Sequence, residues 1–376
     1  MIKYLDLKRI NDLYDAEIRQ AVGNVLDSGW YLKGEVTRQF EADYANYIGT
    51  RHCIGCGNGL DALTLILRAY KEMGVMHDGD EVIVPANTYI ASILAITENG
   101  LVPVLVEPSW DTLQIDDTFI EQAITERTRA IMIVHLYGRC AYTDRVGDIC
   151  RRHNLKLIED NAQAHGCHFS FSLKTGSLGS AAAHSFYPTK NLGAFGDAGA
   201  VTTDDDELAE VVRALGNYGS ARHYVFDYLG RNSRIDEIQA AILLAKLPHL
   251  DAANQRRKEI AAQYINKVEN PLIRIPKSDR DSVYHIFPIL CACRDDLRHY
   301  LLENGIETEI HYPIPPHKQY CYSGAVANSS LLRHSSLTIT EQIHAQELSI
   351  PCHQLLSDEE VARIINLLNA FVKTNR

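Results

Sequence analysis

The sequence contains no long hydrophobic run and no excess of basic residues. No stretch approaches the roughly 18 consecutive apolar residues of a membrane-spanning helix, and the N-terminus alternates charged and apolar residues, unlike a secretory signal. Its 37 Lys and Arg residues are outnumbered by 48 Asp and Glu residues, which gives a net charge of -11. We therefore expect neither a membrane protein nor a general nucleic-acid-binding surface.

Cysteine is sparse and does not form the pattern of a disulfide framework. Nine cysteines, an odd number, are spread over 376 residues, which favours a reducing compartment, and we expect the cytoplasm. Cys53 and Cys56 have C-x-x-C spacing, but no second pair with ligand spacing completes a zinc site, so we interpret both as structural thiols. The 16 histidines are scattered without an H-E-x-x-H motif, and no metal site is predicted.

The chain is rich in short apolar runs. Hydrophobic residues make up 46% of it, enough for two or three domains with a sizeable core. Over the first two thirds, Val- and Ile-rich runs alternate with segments of helical periodicity, which predicts an α/β fold with a mostly parallel sheet covered by helices on both faces. The predicted strands are 52–55, 81–84, 102–106, 129–135, 155–159, 182–187 and 199–203.

The pattern changes in the last third of the chain. Residues 235–258 predict one long helix that is interrupted near Pro248. Strand-like and helical segments then mix: strands are predicted at 284–292 and 306–312, and helices at 295–305 and 359–373. We predict a large α/β domain over 1–245 and a smaller C-terminal α+β domain over 246–376, with which the N-terminal segment packs.

Two charged residues follow predicted strands in the stretch 157–200. Asp160 ends an apolar strand, where an unpaired carboxylate is expensive to bury, and Lys190 follows another strand. Pyridoxal phosphate requires such a pair, since a lysine amine forms the Schiff base and a carboxylate pairs with the protonated pyridine nitrogen. The alternative is that Asp160 caps a helix and Lys190 is a solvated loop lysine. Spacing alone does not decide between the two.

A glycine-rich turn offers a separate place for phosphate. Residues 55–61 follow a predicted strand and open a helix at 60–70, so backbone N–H groups and the helix dipole point at one place. The dinucleotide fingerprint G-x-G-x-x-G is not matched, because Leu60 occupies the position of the third glycine. Such a turn can equally be no more than a turn between a strand and a helix.

Taken together, the ordered motifs resemble the DegT/DnrJ/EryC1/StrS sugar aminotransferases. The matching segments are SGWYLKG (28–34), GNGLDAL (57–63), VPANTYIAS (84–92), VHLYG (134–138), EDNAQAHG (159–166), SFYPTKNLGAFGDAGA (185–200), GNYGSARHY (216–224), GRNSRIDEIQAA (230–241) and HYPIPPHKQ (311–319). The resemblance covers essentially the whole chain. It implies the aspartate-aminotransferase-like fold, also called fold type I, with a mostly parallel seven-stranded sheet, and pyridoxal 5'-phosphate as cofactor.

The resemblance also implies roles for individual residues. Lys190 would be the catalytic Schiff-base lysine and proton carrier, and Asp160 would hold the pyridine nitrogen. The other implied cofactor contacts are Tyr89 stacked on the ring, Gln163 at the ring hydroxyl, and Gly59, Leu60, Ser185 and Asn232 at the phosphate. Because Asn232 would reach the phosphate from the other subunit, a homodimer with shared active sites is expected.

The substrate pocket is less specified by these motifs. Its candidate residues are Lys33, Tyr187, Arg222, Tyr224 and His317, each of which could instead be a surface or interface residue. His165 could contact the cofactor or be a packed residue behind it.

Retention of Lys190 distinguishes the chain from dehydratase relatives, which carry histidine at that position, so a transaminase is expected. Its implied substrates are L-glutamate and a dTDP-3-keto-6-deoxyhexose, giving a dTDP-3-amino-3,6-dideoxyhexose for surface polysaccharide or glycosylated metabolites. A 4-keto-sugar aminotransferase is the first alternative. A catalytically silent member of the fold and a nicotinamide-dependent oxidoreductase are the others.

Overall fold

The computed structural model describes residues 1–222, 224–277, 281–323 and 331–373. Its helices are α1 (Leu7–Asp12), α2 (Asp15–Ser28), α3 (Glu35–Ile48), α4 (Gly59–Glu72), α5 (Ile90–Glu98), α6 (Ile120–Ala123), α7 (Asp144–His153), α8 (Asp206–Gly216), α9 (Glu237–Lys246), α10 (Leu250–Lys267), α11 (Arg294–Glu303), α12 (Tyr320–Ser323), α13 (Thr338–Gln346) and α14 (Asp358–Ala370). In the described ranges, no helix is both long enough and apolar enough to cross a membrane.

The strands form one large sheet and three small ones. Their bounds are β1 (His52–Cys56), β2 (Glu81–Pro85), β3 (Val102–Val106), β4 (Thr128–Val134), β5 (Lys156–Asp160), β6 (His168–Ser170), β7 (Leu173–Lys174), β8 (Ala181–Ser185), β9 (Gly199–Thr203), β10 (Ser220–Arg222), β11 (Val225–Phe226), β12 (Phe287–Leu290) and β13 (Glu347–Ile350). The large sheet has seven strands in the order β1-β9-β8-β5-β4-β2-β3. All neighbours within it are parallel except that β9 runs antiparallel to β1 and β8.

The seven strands predicted from the apolar runs are confirmed, each to within about two residues. The packing of β2 explains why these runs show no clear alternation of apolar and polar residues. Val82 and Val84 pack in a core with helices α4, α5 and α8, whereas Ile83 packs on the other face with α7. Because both faces are covered, every position of the strand is buried and the central run Val82–Val84 is apolar throughout.

The predicted interruption of the long helix is also confirmed. Helix α9 ends at Lys246, a single 3-10 turn contains Pro248, and α10 begins at Leu250. Proline has no N–H to donate to the preceding turn, so the helical hydrogen-bond ladder cannot continue through it.

The C-terminal residues form a second core around β12, β13, α10, α11 and α14. Ile2 is buried in this core, and its backbone bonds with Gly305 and Glu307. The strand predicted at 306–312 is wrong, because only single bridges form there, from Ile306 to Ile2 and from Glu309 to Ser349. His311 N–H donates to the Glu347 side chain at 2.6 Å instead of to a neighbouring strand. The boundary at 245/246 stays a prediction.

Candidate active site

The candidate site lies where two neighbouring parallel strands end. Asp160 is the last residue of β5 and Ser185 is the last residue of β8, and Asp160 pairs with Ala183 in the register of these strands. Ligands of parallel sheets bind at such carboxyl ends. The sheet therefore brings the EDNAQAHG and SFYPTK segments, far apart in sequence, to one edge.

The first turn of α4 faces the end of β8. Asn58 caps this helix by accepting a hydrogen bond from Asp61 N–H at 2.8 Å, and its carbonyl accepts from Ala62 N–H at 3.0 Å. The N–H groups of Gly59 and Leu60 have no acceptor among the described residues. A Cβ atom on Gly59 would lie 2.6 Å from Cβ of Ser185, so only glycine permits this approach. Two unused N–H groups and a serine hydroxyl thus frame a cradle for an anion.

The Asp160 carboxylate is almost completely buried and held by uncharged partners. Oδ2 accepts a hydrogen bond from Ser92 Oγ at 2.7 Å, and Oδ1 accepts one from Ala162 N–H at 3.2 Å. Burial raises the pKa of this carboxyl, while these bonds and the positive charge of Lys190 act to lower it. The carboxylate keeps acceptor capacity for a cationic donor.

Lys190 is partly buried on the loop that follows β8. Its backbone N–H donates to Tyr187 O at 2.8 Å, which closes a turn directly after the strand. Burial lowers the pKa of the Lys190 amine to about 8, and the nearby Asp160 carboxylate opposes this shift. About half of the amine is therefore neutral at about pH 8, and a far larger share is neutral at pH 7 than in an ordinary lysine, as a nucleophile or a general base requires.

Tyr89 and Gln163 are joined by Tyr312, a residue from the C-terminal part of the chain. Gln163 Nε2 donates to the Tyr312 hydroxyl at 3.1 Å, and Gln163 Oε1 accepts from Tyr137 N–H at 2.6 Å. The ring centroids of Tyr89 and Tyr312 are 5.0 Å apart, and half of the Tyr89 surface is exposed. A planar ligand above Asp160 would have an aromatic face available at Tyr89.

The positive charge of Lys190 contributes to lowering the pKa values of three histidines. Burial and this charge lower the pKa of His165 to about 3 and that of His311 to about 4, and the pKa of His285 falls well below its ordinary value. All three rings are therefore neutral, and none competes with Lys190 for Asp160. His165 is completely buried and neither ring nitrogen has a partner among the described residues, so its role stays open.

A second group of predicted residues lies in a different pocket. Lys33, Arg222 and Tyr224 line a surface pocket of about 370 Å³ together with Asn217, Tyr218, Ser220 and Phe226. Buried Glu237 accepts a hydrogen bond from Gly34 N–H at 2.8 Å, which fixes the loop that carries Lys33. Asn232 is exposed and its backbone pairs with Asn217, at the edge of this pocket. The structure thus groups these residues with one another and not with Lys190.

The remaining two predicted substrate residues are separate from each other. Tyr187 is 53% exposed and lies in the turn that ends at Lys190. His317 instead pairs with Glu341, with 3.1 Å between Nε2 and Oε1, and its ring centroid is 5.5 Å from that of His334.

This geometry can be compared with known proteins. Residues 12–369 match the DegT/DnrJ/EryC1/StrS aminotransferase family. The chain belongs to this family. A member of the family is a pyridoxal-phosphate-dependent enzyme, and this chain is a sugar aminotransferase of the α/β fold predicted from its motifs.

Several relatives match over nearly their full length. The dTDP-3-amino-3,6-dideoxy-alpha-D-galactopyranose transaminase of Aneurinibacillus thermoaerophilus is 51% identical over 99% of both chains. The crystal structure of DesV of S. venezuelae, solved with a ketimine intermediate, is 43% identical over 99% of both chains with a TM-score of 0.92. NtdA of Bacillus subtilis, solved with bound pyridoxamine phosphate, is 32% identical and covers 97% of this chain and 83% of its own, with a TM-score of 0.87.

The site of this aminotransferase fits its cofactor. The unused N–H groups of Gly59 and Leu60 lie beside Ser185 in a cradle that a side chain on Gly59 would fill, which suits a phosphate. The buried Asp160 carboxylate, with uncharged hydrogen-bond donors around it, suits a protonated ring nitrogen. Lys190 supplies an amine whose pKa is lowered by burial and whose charge interacts with the Asp160 carboxylate.

Sequence reasoning missed Ser92 and Tyr312. Tyr312 lies in the segment HYPIPPHKQ beside the predicted His317, but periodicity does not show which side chain of this segment reaches Gln163. Ser92 is one turn along α5 from Tyr89, in the quoted segment VPANTYIAS, and its contact with Asp160 joins residues 68 positions apart. A polar residue on the buried face of α5 was the available signal.

Proposed function

We propose that this aminotransferase transfers the amino group of L-glutamate to a dTDP-3-keto-6-deoxyhexose, giving 2-oxoglutarate and a dTDP-3-amino-3,6-dideoxyhexose. The main support for a transaminase is that the Lys190 amine, with its lowered pKa, interacts with the buried carboxylate of Asp160 at the end of β5. The relative that is 51% identical is a dTDP-3-amino-3,6-dideoxy-alpha-D-galactopyranose transaminase. This similarity supports a 3-keto sugar as the substrate and favours the galacto configuration. The alternative is a sugar nucleotide with its ketone at C-4.

Each residue of the site has a defined task in this reaction. Bound pyridoxal phosphate supplies an aldehyde that condenses with amines and a ring that withdraws electrons when its nitrogen is protonated. Asp160 would stabilise that proton, and the hydrogen bond from Ser92 orients the carboxylate and favours its ionised form. Gly59, Leu60 and Ser185 would hold the phosphate, Gln163 would contact the ring hydroxyl, and Tyr89 would cover one face of the ring.

Lys190 Nζ moves the protons. As a neutral amine, it takes up a proton at Nζ in each half of the cycle, from the α-carbon of glutamate in the first, and as the resulting ammonium it delivers a proton to the sugar carbon in the second. Its lowered pKa places both protonation states within reach at neutral pH. The segment 311–312 is held by Glu347 and Gln163, and its Tyr312 ring packs against Tyr89 at the edge of the site.

The pocket around Lys33 and Arg222 is the proposed site of the pyrophosphate, and it requires a second subunit. In this proposal it faces the Lys190 site of the partner, and Asn232 crosses the same interface to the cofactor phosphate. Large apolar side chains on the neighbouring segments are exposed, as expected of a surface that a partner covers: Trp30, Tyr31, Leu32, Phe195, Phe226 and Leu229. A cytoplasmic homodimer that supplies amino sugars for polysaccharide synthesis is consistent with this arrangement.

A two-step absorbance experiment tests the proposal. L-glutamate is added to the purified holoenzyme while the visible absorption of the cofactor is followed, and the amino acid is then removed. The dTDP-linked 3-keto and 4-keto 6-deoxyhexoses are offered separately. Bleaching by glutamate followed by recovery with the 3-keto sugar alone is the expected result.

Other outcomes separate the alternatives. Recovery with the 4-keto sugar alone would overturn the position of amination and leave the transaminase assignment intact. Absence of bleaching would favour a silent member of the fold. Lys190→Ala serves as the matched variant, and a normal transamination rate in that protein would contradict the assigned role of Lys190.

A further inference from the structure

A cavity of about 230 Å³ lies away from the aminotransferase site and shares none of its residues. It is bounded by the segment 109–117, by the residues that follow β4, and by Lys277. A single water needs roughly 10–15 Å³ of such volume, so the cavity has room for a small organic molecule.

Arg139 is a buried residue in the lining of this cavity. Only 2% of its surface is exposed, and its Nη1 donates to the carbonyl oxygens of Pro276 and Lys277 at 3.3 and 3.2 Å. Nε and Nη2 are buried without a hydrogen-bond partner in the described part of the chain. Burying a guanidinium with two unused donors is unfavourable, and an anionic group in the cavity would relieve that cost.

The same cavity also contains an unused acceptor. Gln114 is buried, its Nε2 donates to Leu136 O at 3.2 Å, and its Oε1 has no partner among the residues described. Two carboxylates line the cavity as well, those of Asp116 and Asp117. Asp116 accepts a hydrogen bond from the Thr118 hydroxyl at 2.6 Å, and Asp117 accepts one from the Thr143 hydroxyl at 2.6 Å. Both carboxylates keep further acceptor capacity.

We propose that this cavity binds a free α-amino acid. Nε and Nη2 of Arg139 and Oε1 of Gln114 have almost no solvent-accessible surface, so both side chains would turn toward the ligand. The carboxylate would then bind the Arg139 guanidinium, and the ammonium group would donate to Gln114 Oε1 and the aspartates. A zwitterion suits the lining because Arg139 and Lys277 balance the two carboxylates, so a plain anion would meet repulsion and a plain cation would meet Arg139. Buried polar groups of both kinds gain the partners that they lack in the protein alone.

The binding of glycine to the holoenzyme tests this proposal. Glycine, acetate and methylamine are titrated separately by calorimetry, while the visible absorption of the cofactor reports any reaction at Lys190. Saturable glycine binding that leaves the absorption unchanged is expected, with acetate and methylamine each at least tenfold weaker. Arg139→Met should weaken glycine binding at least tenfold, whereas Arg222→Ala, in the other pocket, should leave it unchanged.

A second variant covers the case in which Arg139→Met does not fold. The double substitution of Asp116→Asn and Asp117→Asn should weaken glycine binding several-fold and leave acetate binding the same or stronger. Absence of saturable glycine binding to the wild-type protein overturns the proposal. So does equal binding to the Arg139 variant, equal binding of acetate and glycine, or loss of binding in the Arg222 variant.

Discussion

The hydroxyl of Ser92 donates a 2.7 Å hydrogen bond to Oδ2 of Asp160, and this bond joins the first turn of α5 to the end of β5. Ser92 in turn lies 2.8 Å from Thr88 Oγ1, in the loop before the helix. The helix that carries Tyr89 and the strand that carries the carboxylate are therefore held in one fixed relation.

Removal of that hydroxyl should affect activity most strongly at low pH. The Ser92 bond acts to lower the pKa of Asp160, so in Ser92→Ala this pKa rises further and the carboxylate is lost at higher pH. A lost bond to a charged group corresponds to about 1.5–3 kcal/mol, or about one to two pH units. The acid limb of the pH dependence of kcat/KM should shift upward, and Ser92→Thr should restore it. An unshifted acid limb in Ser92→Ala would contradict the proposed role.

The reaction with the keto sugar should accelerate with rising pH through about 8. In that half of the cycle Lys190 is a free amine, and its pKa is lowered to about 8 by burial. Because the neutral amine is the form that takes up a proton, the rate should approach a plateau above this pH. Single-turnover rates of the reaction with the keto sugar, measured across the pH range, test this dependence. Lys190→Arg, which stays protonated, should be slower by at least about 100-fold at every pH, and comparable activity would exclude proton transfer by this residue.

Gly59→Ala should weaken cofactor binding. The added Cβ would lie 2.6 Å from Cβ of Ser185, so the start of α4 must move away from β8 and the phosphate cradle opens. We expect at least about a tenfold increase in the dissociation constant of the cofactor, equal to about 1.4 kcal/mol, measured by absorbance titration. Gly23→Ala is the matched control, because its added Cβ meets nothing within 4 Å and lies in α2. If both substitutions weakened cofactor binding equally, the effect could not be assigned to the phosphate cradle.

Asn254→Ala should weaken the connection between the loop that carries Lys190 and the loop that follows Asp160. On α10, Asn254 Oδ1 accepts from Asn191 Nδ2 at 2.8 Å and its Nδ2 donates to His165 O at 2.8 Å. The residue thereby links the Lys190 loop to the Asp160 loop. The variant leaves the buried carbonyl of His165 without this donor, at about 1–3 kcal/mol of unfolding free energy, and removes one of the two acceptors of Asn191 Nδ2, which still donates to Val283 O.

Chemical denaturation and steady-state kinetics measure the effect of this change. The unfolding free energy and kcat should both fall in Asn254→Ala. The neighbouring exposed residue provides the control, since Gln255→Ala should alter neither quantity by more than a few tenths of a kcal/mol or of a log unit. A stable but equally active Asn254 variant would mean that the link does not position Lys190.

Most of the sheet could be predicted because burial on both faces leaves a strong signal in sequence. The run around Val82, Ile83 and Val84 is apolar at every position, and its predicted strand is confirmed. The segment 306–312 shows where this reasoning fails. Its residues have strand-like composition, but His311 is bound by the carboxylate of Glu347, and a contact across 36 positions has no local signature.

Local chemistry alone placed the charged residues of the site and the glycine turn at the ends of strands. Asp160, Lys190 and the turn before Leu60 could be placed there from local pattern, but spacing alone left their roles open, and only the ordered set of motifs assigned them. The partners of these groups could not be placed from sequence, since Ser92, Tyr312 and Asn254 reach them from other elements through the folded chain. The separation of Lys33 and Arg222 from Lys190, and the unused donors of Arg139, likewise follow from packing, because sequence order does not determine which side chains share a cavity.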